Sequence, residues 1–287
     1  MSGHNPTTFV VKRTIIYFLM IFLFLLAIVP IYVLLINATR STEQINEGLT
    51  LIPGTFSQVK NQVIYNWKAL TSRGFKLQQG FYNSVTLAFW MTLFSVYFSA
   101  MTAYGLHVYK FRGRNYLWGL ILLIMMLPTT LSFIGFYQFM ARIKLTDNYL
   151  ALIIPSIASA GTVLFIRQYL SSILSMELID AARIDGAGEF TIFNIIVIPV
   201  ITPALAAQSI FSFVGSWNNF FTPFVLISTE SKATLPMLVQ KLRGDIYRAE
   251  YGGIYLGIAV SIIPIIIFYS FMSRFIISGI TMGGVKE

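Results

Sequence analysis

The chain has 287 residues, of which 56% are hydrophobic and only 11% charged, and its mean hydropathy is +0.73. That is too little polar surface to clothe a soluble globule of this length, so the composition predicts an integral membrane protein. The net charge of +9 would raise nucleic acid as a partner for a soluble domain, but the basic residues are scattered over the loops, which fits anionic lipid headgroups instead; the absence of cysteine excludes disulfide and thiolate chemistry.

Lys12 and Arg13 precede an apolar run at 14–36. This run exceeds the apolar stretch of a secretory leader and is followed by no small-residue cleavage site, so it reads as a first span. Crossing a hydrocarbon core takes about 20 apolar residues in a helix, and further runs of that kind lie at 83–106, 116–140, 149–171, 199–226 and 253–277. The expectation is an all-α polytopic membrane protein, one domain over 1–287, with six transmembrane helices and both termini on one side. Pro30, Pro128, Pro155, Pro203 and Pro264 fall inside or near the ends of these spans, where each frees a carbonyl and can kink its helix. Total basic residues do not discriminate between the two orientations. The charges next to span ends do: Lys12-Arg13, and the acid-free loop 107–115 with Lys110, Arg112 and Arg114, place the termini inside. The polar stretch 37–82, with turns at Pro53-Gly54 and Gly74, is then extracytoplasmic.

The fifth run ends in Gly215-Ser216-Trp217-Asn218-Asn219-Phe220-Phe221-Thr222-Pro223. Aromatics beside amides suit an interfacial belt, or a wall facing a sugar on which rings stack and amides bond hydroxyls. Amides facing lipid are costly, so Asn218 or Asn219 is expected to turn inward, and Trp217, Asn218 and Asn219 are the candidate substrate path. Gly253-Ile254-Tyr255-Leu256-Gly257 has the spacing that lets helices approach closely. The tail 279–287, GITMGGVKE, is too polar and glycine-rich to continue the last helix.

The stretch 175–199, SMELIDAARIDGAGEFTIFNIIVIP, is neither apolar enough to span nor disordered in composition. Glu177, Asp180 and Arg183 recur every three residues while Leu178, Ala181 and Ala182 take another side, the pattern of a short amphipathic helix. Gly186 allows a positive φ or a close backbone approach, and a second apolar segment, 190–198, follows. The prediction is a helix-turn-helix at 175–198, outside the hydrocarbon.

These residues carry a resemblance. Asp180-Ala181-Ala182, Asp185-Gly186-Ala187, Phe193, Ile196 and Pro199 resemble the cytoplasmic loop signature of bacterial ABC importer permeases, with Asp180 where that family usually has glutamate and Ser175 where proline is common. Ala103-Tyr104-Gly105 with Phe111-Arg112-Gly113-Arg114, the connection 143–149, and Thr234-Leu235-Pro236 within 228–251 look like the carbohydrate branch, of the maltose and multiple-sugar type. So does the end, Gly283, Gly284, Val285 and Lys286, with Glu287 in place of the usual glycine. The resemblance implies a bacterial inner-membrane permease subunit that imports a sugar or oligosaccharide. Its implied partners are a second homologous permease, two copies of an ABC ATPase and an extracytoplasmic sugar-binding protein. It also implies that Glu177, Asp180, Ala181, Ala182, Asp185, Gly186 and Ala187 couple to the ATPase, which Gly283–Lys286 also reach, and that 228–251 touches the binding protein.

No GxxxxGK[ST] occurs, so a P-loop is not expected here, and ATP and magnesium belong on partner subunits. His4 and His107 are far apart and no HExxH is present, which speaks against a metal site and against an enzyme. The alternative, an ion-coupled carrier or channel acting without an ATPase, needs ionisable relays inside the spans, where charges are nearly missing; Arg167 sits near the end of its run and can snorkel.

Overall fold

The computed structural model describes residues 6–72, 76–157, 159–244 and 250–283, and among them every regular element is helical. The helices are α1 (Pro6–Ala38), α2 (Thr42–Asn46), α3 (Phe56–Ser72), α4 (Leu77–Val108), α5 (Arg114–Met126), α6 (Thr129–Arg142), α7 (Leu150–Ser156), α8 (Ala160–Ile173) and α9 (Met176–Ile184). They continue with α10 (Glu189–Val200), α11 (Thr202–Asn218), α12 (Phe221–Leu226), α13 (Leu235–Gly244) and α14 (Tyr251–Gly283).

Four segments are long and apolar enough to cross a membrane: Lys12–Ala38, Leu77–Val108, Leu150–Ile173 and Tyr251–Ile277. A fifth is reached if α10 and α11, which meet at 82°, count as one broken span. Two of the six runs expected from hydropathy are interrupted helices. The run 116–140 breaks at Leu127, whose extended backbone (ψ 130°) is what the following Pro128 imposes, leaving helices of 13 and 14 residues. The run 199–226 breaks twice. Pro203 enters at the first turn of α11, where its ring would collide with the carbonyl four residues back, and the chain bends at Ile201; a second break at Asn219 separates α12. The tail is corrected in the opposite sense, because α14 runs unbroken to Gly283.

The chain divides into two compact units, 1–75 with 239–262 and 76–238 with 263–287. In the first, Asn66 on α3 is buried and donates to the carbonyls of Ala38 (2.9 Å) and Arg40 (3.1 Å). The glycine stripe at the start of α14 is what lets α3 come near. A Cβ on Gly252 would stand 2.3 Å from the Arg40 carbonyl oxygen, and one on Gly257 3.3 Å from Leu70. In the second unit α4 is the axis. Its Ala88, Ser99, Ala100 and Ala103 are buried, small residues that let α8 and α11 pack close, and Ser99 Oγ accepts the Ser159 N–H (3.0 Å). Ala103, Tyr104, Ile166, Leu170, Ile192 and Phe193 close one continuous core at the end of α4 that leads to α9.

Within α10, residues Ile192–Val197 are wound as a π-helix. Two local features favour this: the Asn194 amide donates to the Phe190 carbonyl (2.8 Å) that its own backbone N–H would take in an α-helix, and Pro199 has no N–H for Ile195.

The stripe gives a contrast that thermal melting of the detergent-purified protein can read. Gly252→Ala is expected to destabilise by about 1–3 kcal/mol through overpacking. Gly215→Ala, in α11 with open space around it, is expected to be neutral or to stabilise by up to about 1 kcal/mol. Equal melting temperatures for the two variants would contradict the packing described.

Candidate functional site

The short helix α9 is terminated by its own sequence at both ends. Ser175 takes the cap position and its Oγ accepts the Leu178 N–H (3.4 Å), so the serine supplies a cap where a proline would have supplied only a fixed φ. Glu177 in the first turn and Arg183 in the last oppose the ends of the helix dipole. At the far end Gly186 N–H donates to the Arg183 carbonyl (3.0 Å) and Ala187 N–H to the Ala182 carbonyl (3.0 Å), the two bonds of a Schellman stop. Gly186 sits at φ +80°, and a Cβ there would meet nothing within 4 Å. The glycine is therefore required for its left-handed backbone and for no close approach.

One face of α9 is sealed to the bundle: Ile179 and Ala182 are buried in the core that holds Ala103, Tyr104, Leu170 and Phe193. This corrects the stripe read from sequence, since Leu178 and Ala181 are exposed and Ile179 is the anchor. The helix is also pinned by charge. Arg183 Nε donates to Glu189 Oε1 (2.8 Å) and its Nη1 to Asp180 Oδ1 (3.1 Å). The other oxygen of Glu189 accepts the Tyr104 hydroxyl (3.1 Å) and the Tyr109 hydroxyl, both from the end of α4. The Glu189 hydrogen bond holds the Arg183 guanidinium above its ordinary value, and burial, then Glu189, pushes the Tyr109 phenol up. Glu177, Leu178, Asp180, Ala181, Ile184, Asp185 and Gly186 are left facing outward, Ile184 at 86% exposure, while Ala187 is half-buried against the core. Glu189, Tyr104 and Tyr109 were not legible as site residues, because Tyr–Glu pairing across 80 or more positions leaves no spacing signal.

Of the tail residues, Gly283 ends α14, and Gly284, Val285 and Lys286 lie outside the described residues. The three candidate path residues separate. Trp217 is only 2% exposed, stacked on Phe213 and edge-on to Phe81, and Asn218 is exposed. Asn219, at the break between α11 and α12, lines a recess of ≈ 310 Å³ together with Phe133, Phe136, Leu152, Ser156 and Thr222, and its Oδ1 accepts the Thr222 N–H (3.2 Å).

A second polar hub lies in the connection between α6 and α7. Asp147, at φ +59°, accepts the N–H groups of Ser228 (3.0 Å) and Thr229 (2.9 Å), the Thr229 hydroxyl (2.6 Å) and the Lys232 ammonium (3.0 Å), and its own N–H donates to the Leu226 carbonyl (2.7 Å). Thr229 and Lys232 hold its carboxyl well below the usual carboxylate range. The segment after α12 is thereby clasped to the α6–α7 connection, and Asn83 reinforces it by donating to the carbonyls of Ser231 and Ala233 (both 2.9 Å).

The arrangement is that of a polytopic membrane subunit with an exposed helix mounted on its bundle. Residues 95–281, well over half the chain, match the family described as "Binding-protein-dependent transport system inner membrane component". The chain is similar over its whole length to the arabinooligosaccharides transport system permease protein AraQ of Bacillus subtilis, at 35% identity over 287 residues and 100% of both chains. It is 30% identical over 264 residues to the sn-glycerol-3-phosphate transport system permease protein UgpE of Yersinia pestis, covering 89% of this chain and 91% of the relative. The fold matches a crystal structure of a bacterial ABC transporter involved in import of the acidic polysaccharide alginate, with TM-score 0.77, 24% identity and coverage of 96% and 99%. The chain belongs to the binding-protein-dependent transport family: it is a non-catalytic, multi-pass permease subunit of an ABC importer, working with a separate ATPase.

The Asp147 clasp carries a signed pH dependence. Its folded pKa is depressed, so its contribution to stability is complete above the unfolded value near 3.8 and is lost as pH falls below it. The wild type is expected to melt above Asp147→Asn at pH 6, with the gap closing as pH is taken below about 3.8; a pH-independent gap would show that the carboxylate charge is not what holds the clasp.

Proposed function

We propose that this chain forms half of the translocation pathway of a binding-protein-dependent oligosaccharide importer in a bacterial inner membrane, beside a second, homologous permease and above two copies of an ABC ATPase. The observation that carries the reading is the mixed outward face of α9. Apolar Leu178, Ala181 and Ile184 alternate there with Glu177, Asp180 and Asp185, on a helix whose inner face is sealed and whose ends are capped. A helix of this kind suits a groove on a soluble partner, with Ala182 and Ala187 packing it to the bundle and Gly186 fixing its exit. Closure of the ATPase pair on ATP would move α9 as a lever, since a partner shifts a conformational equilibrium only by engaging its states unequally. The tail residues Gly283, Gly284, Val285 and Lys286 are read as a second contact with the ATPase.

The basic loop 107–115 and the Glu189 junction share one end of the bundle, which supports placing α9, and with it both termini, on the cytoplasmic side. Six crossings are then obtained by counting α5 with α6, and α11 with α12, as interrupted spans. Broken helices in a transporter are tolerated where they line a cavity, and the Asn219 recess lies at one of the breaks, between Pro155 and Thr222. Its amide, hydroxyls and phenyl rings suit a carbohydrate. The full-length likeness to an arabinooligosaccharide permease favours an oligosaccharide over a polyol phosphate. The clasped segment at 228–235 supports the assignment of 228–251 as the contact with the sugar-binding protein.

Gly186 separates backbone from bulk. Gly186→Asn, which tolerates the left-handed region, is expected to keep most uptake and ATPase co-purification, whereas Gly186→Val strains the stop by about 1–2 kcal/mol or more and is expected to lose both together. The chain has no cysteine, so Ile184→Cys provides a direct probe: it is expected to cross-link to a P-loop ATPase. Labelling of that cysteine by an impermeant maleimide from outside intact cells would overturn the docking and the orientation at once.

A further inference from the structure

Beside the α9 mount, the last turns of α4 and the first turns of α5 diverge and leave a recess of ≈ 480 Å³ between them. Gly105, Leu106, Tyr109, Phe111, Leu117 and Ile121 line it, and its surface is almost wholly apolar. A second hollow of ≈ 410 Å³ is cut into the connecting loop and lined by Lys110, Arg112 and Arg114 with Asn115; Phe111 borders both. Among the described residues no carboxylate lies within ion-pair range of Lys110, Arg112 or Arg114, and the buried Nε of Arg114 has no hydrogen-bond partner. Nearby, the Arg167 guanidinium lies 3.9 Å over the Trp118 ring with its own Nε buried and without a hydrogen-bond partner.

We propose that the paired hollows bind one anionic glycerophospholipid, its phosphate on Lys110, Arg112 and Arg114 and an acyl chain in the apolar recess. Any bilayer-facing helix tolerates lipid, but a smooth flank offers neither concavity nor charge selection. Here a cationic, acid-free rim opens directly onto an apolar slot, and the outward side of α5 continues the apolar surface through Leu120, Leu123 and Ile124. A soluble phosphate would fill the rim and leave the slot empty; an apolar peptide would leave the charges unmatched. A phospholipid satisfies both halves. The site touches the coupling joint, because Tyr109 lines the slot and its hydroxyl donates to Glu189, which in turn holds Arg183 of α9. Occupancy would therefore brace the mount from the membrane side.

The test is native mass spectrometry of the full-length chain released from detergent in equimolar phosphatidylglycerol and phosphatidylcholine. The wild type is expected to retain phosphatidylglycerol selectively. Lys110→Gln/Arg112→Gln/Arg114→Gln is expected to lose that selectivity by on the order of a hundredfold, at roughly fivefold per cation, while the charge-matched control Lys60→Gln/Lys68→Gln/Lys76→Gln keeps it. Gly105→Leu projects into the slot, where a Cβ meets nothing within 4 Å, and Leu117→Gln makes its half-exposed wall polar. Both are expected to release lipid with the cationic rim intact, and melting temperatures establish which variants are folded. Equal retention by the rim variant and the control, or wild-type retention in a folded slot variant, would overturn the proposal. Displacement by millimolar inorganic phosphate as complete as by excess phosphatidylglycerol would overturn it too, by reducing the site to a bare anion hollow. The binding readout needs only the membrane location of the chain, so its failure is distinct from failure of the docking described above.

Discussion

Glu189 is the residue on which the joint between bundle and exposed helix depends. One of its carboxylate oxygens receives Arg183 from α9 and the other receives Tyr104 and Tyr109 from the end of α4, while its backbone begins α10. An exposed ion pair alone contributes at most about 1 kcal/mol. What this carboxylate adds is geometry, because three elements share one small group and none can rotate without breaking a bond to it. The apolar seal beneath, Ile179 and Ala182 against Ala103, Leu170 and Phe193, turns that geometry into a rigid mount. The lever role proposed for α9 requires such a mount, since a lever on a soft joint would dissipate the motion in its own hinge.

The chain that leads away from the joint is built from helix interruptions. The π-wound Ile192–Val197, the bend at Ile201 and the break at Asn219 lie in succession along the chain, so the segment that starts at the joint ends at the recess lined by Asn219 and Thr222. Each interruption has a local chemical cause in Asn194, Pro199, Pro203 or the amide cap of Asn219 on Thr222. On the far side of the same segment, Asp147 fixes 226–232: it accepts from Ser228, Thr229 and Lys232, and its own N–H donates to the Leu226 carbonyl. The chain thus has one polar anchor before its broken stretch and one after it.

Composition and pattern made part of this legible in the sequence. The membrane character, the all-helical class and the stop at Gly186 followed from hydropathy, charge and a single glycine, because each is a local property of a few consecutive residues. The fixed spacing of Asp180, Asp185, Gly186, Phe193 and Pro199 pointed to the family, which the match over 95–281 shows. What escaped was whatever depends on pairing at long range. Hydropathy averages over a break, so 116–140 and 199–226 read as continuous where Pro128 and Pro203 interrupt them. Aromatic-amide composition grouped Trp217 with Asn219, although one is buried under Phe213 and the other lines a recess. The glycine-rich tail looked too polar for a helix, yet α14 carries on to Gly283. Glu189, Tyr104, Tyr109 and Asp147 become meaningful only once α4, α9 and the segment after α12 are in place.

The most direct measurement of the joint is the number of ATP molecules hydrolysed per solute imported, taken in the same proteoliposomes holding the full importer with either wild-type chain or Glu189→Gln. A rigid mount predicts that the amide variant, which cannot offer Arg183 and the two tyrosines a full charge, still binds the ATPase and hydrolyses ATP while importing several-fold less solute per ATP. An unchanged ratio, with both rates preserved or both lowered in proportion, would contradict the claim that motion passes from α9 to the bundle through this carboxylate.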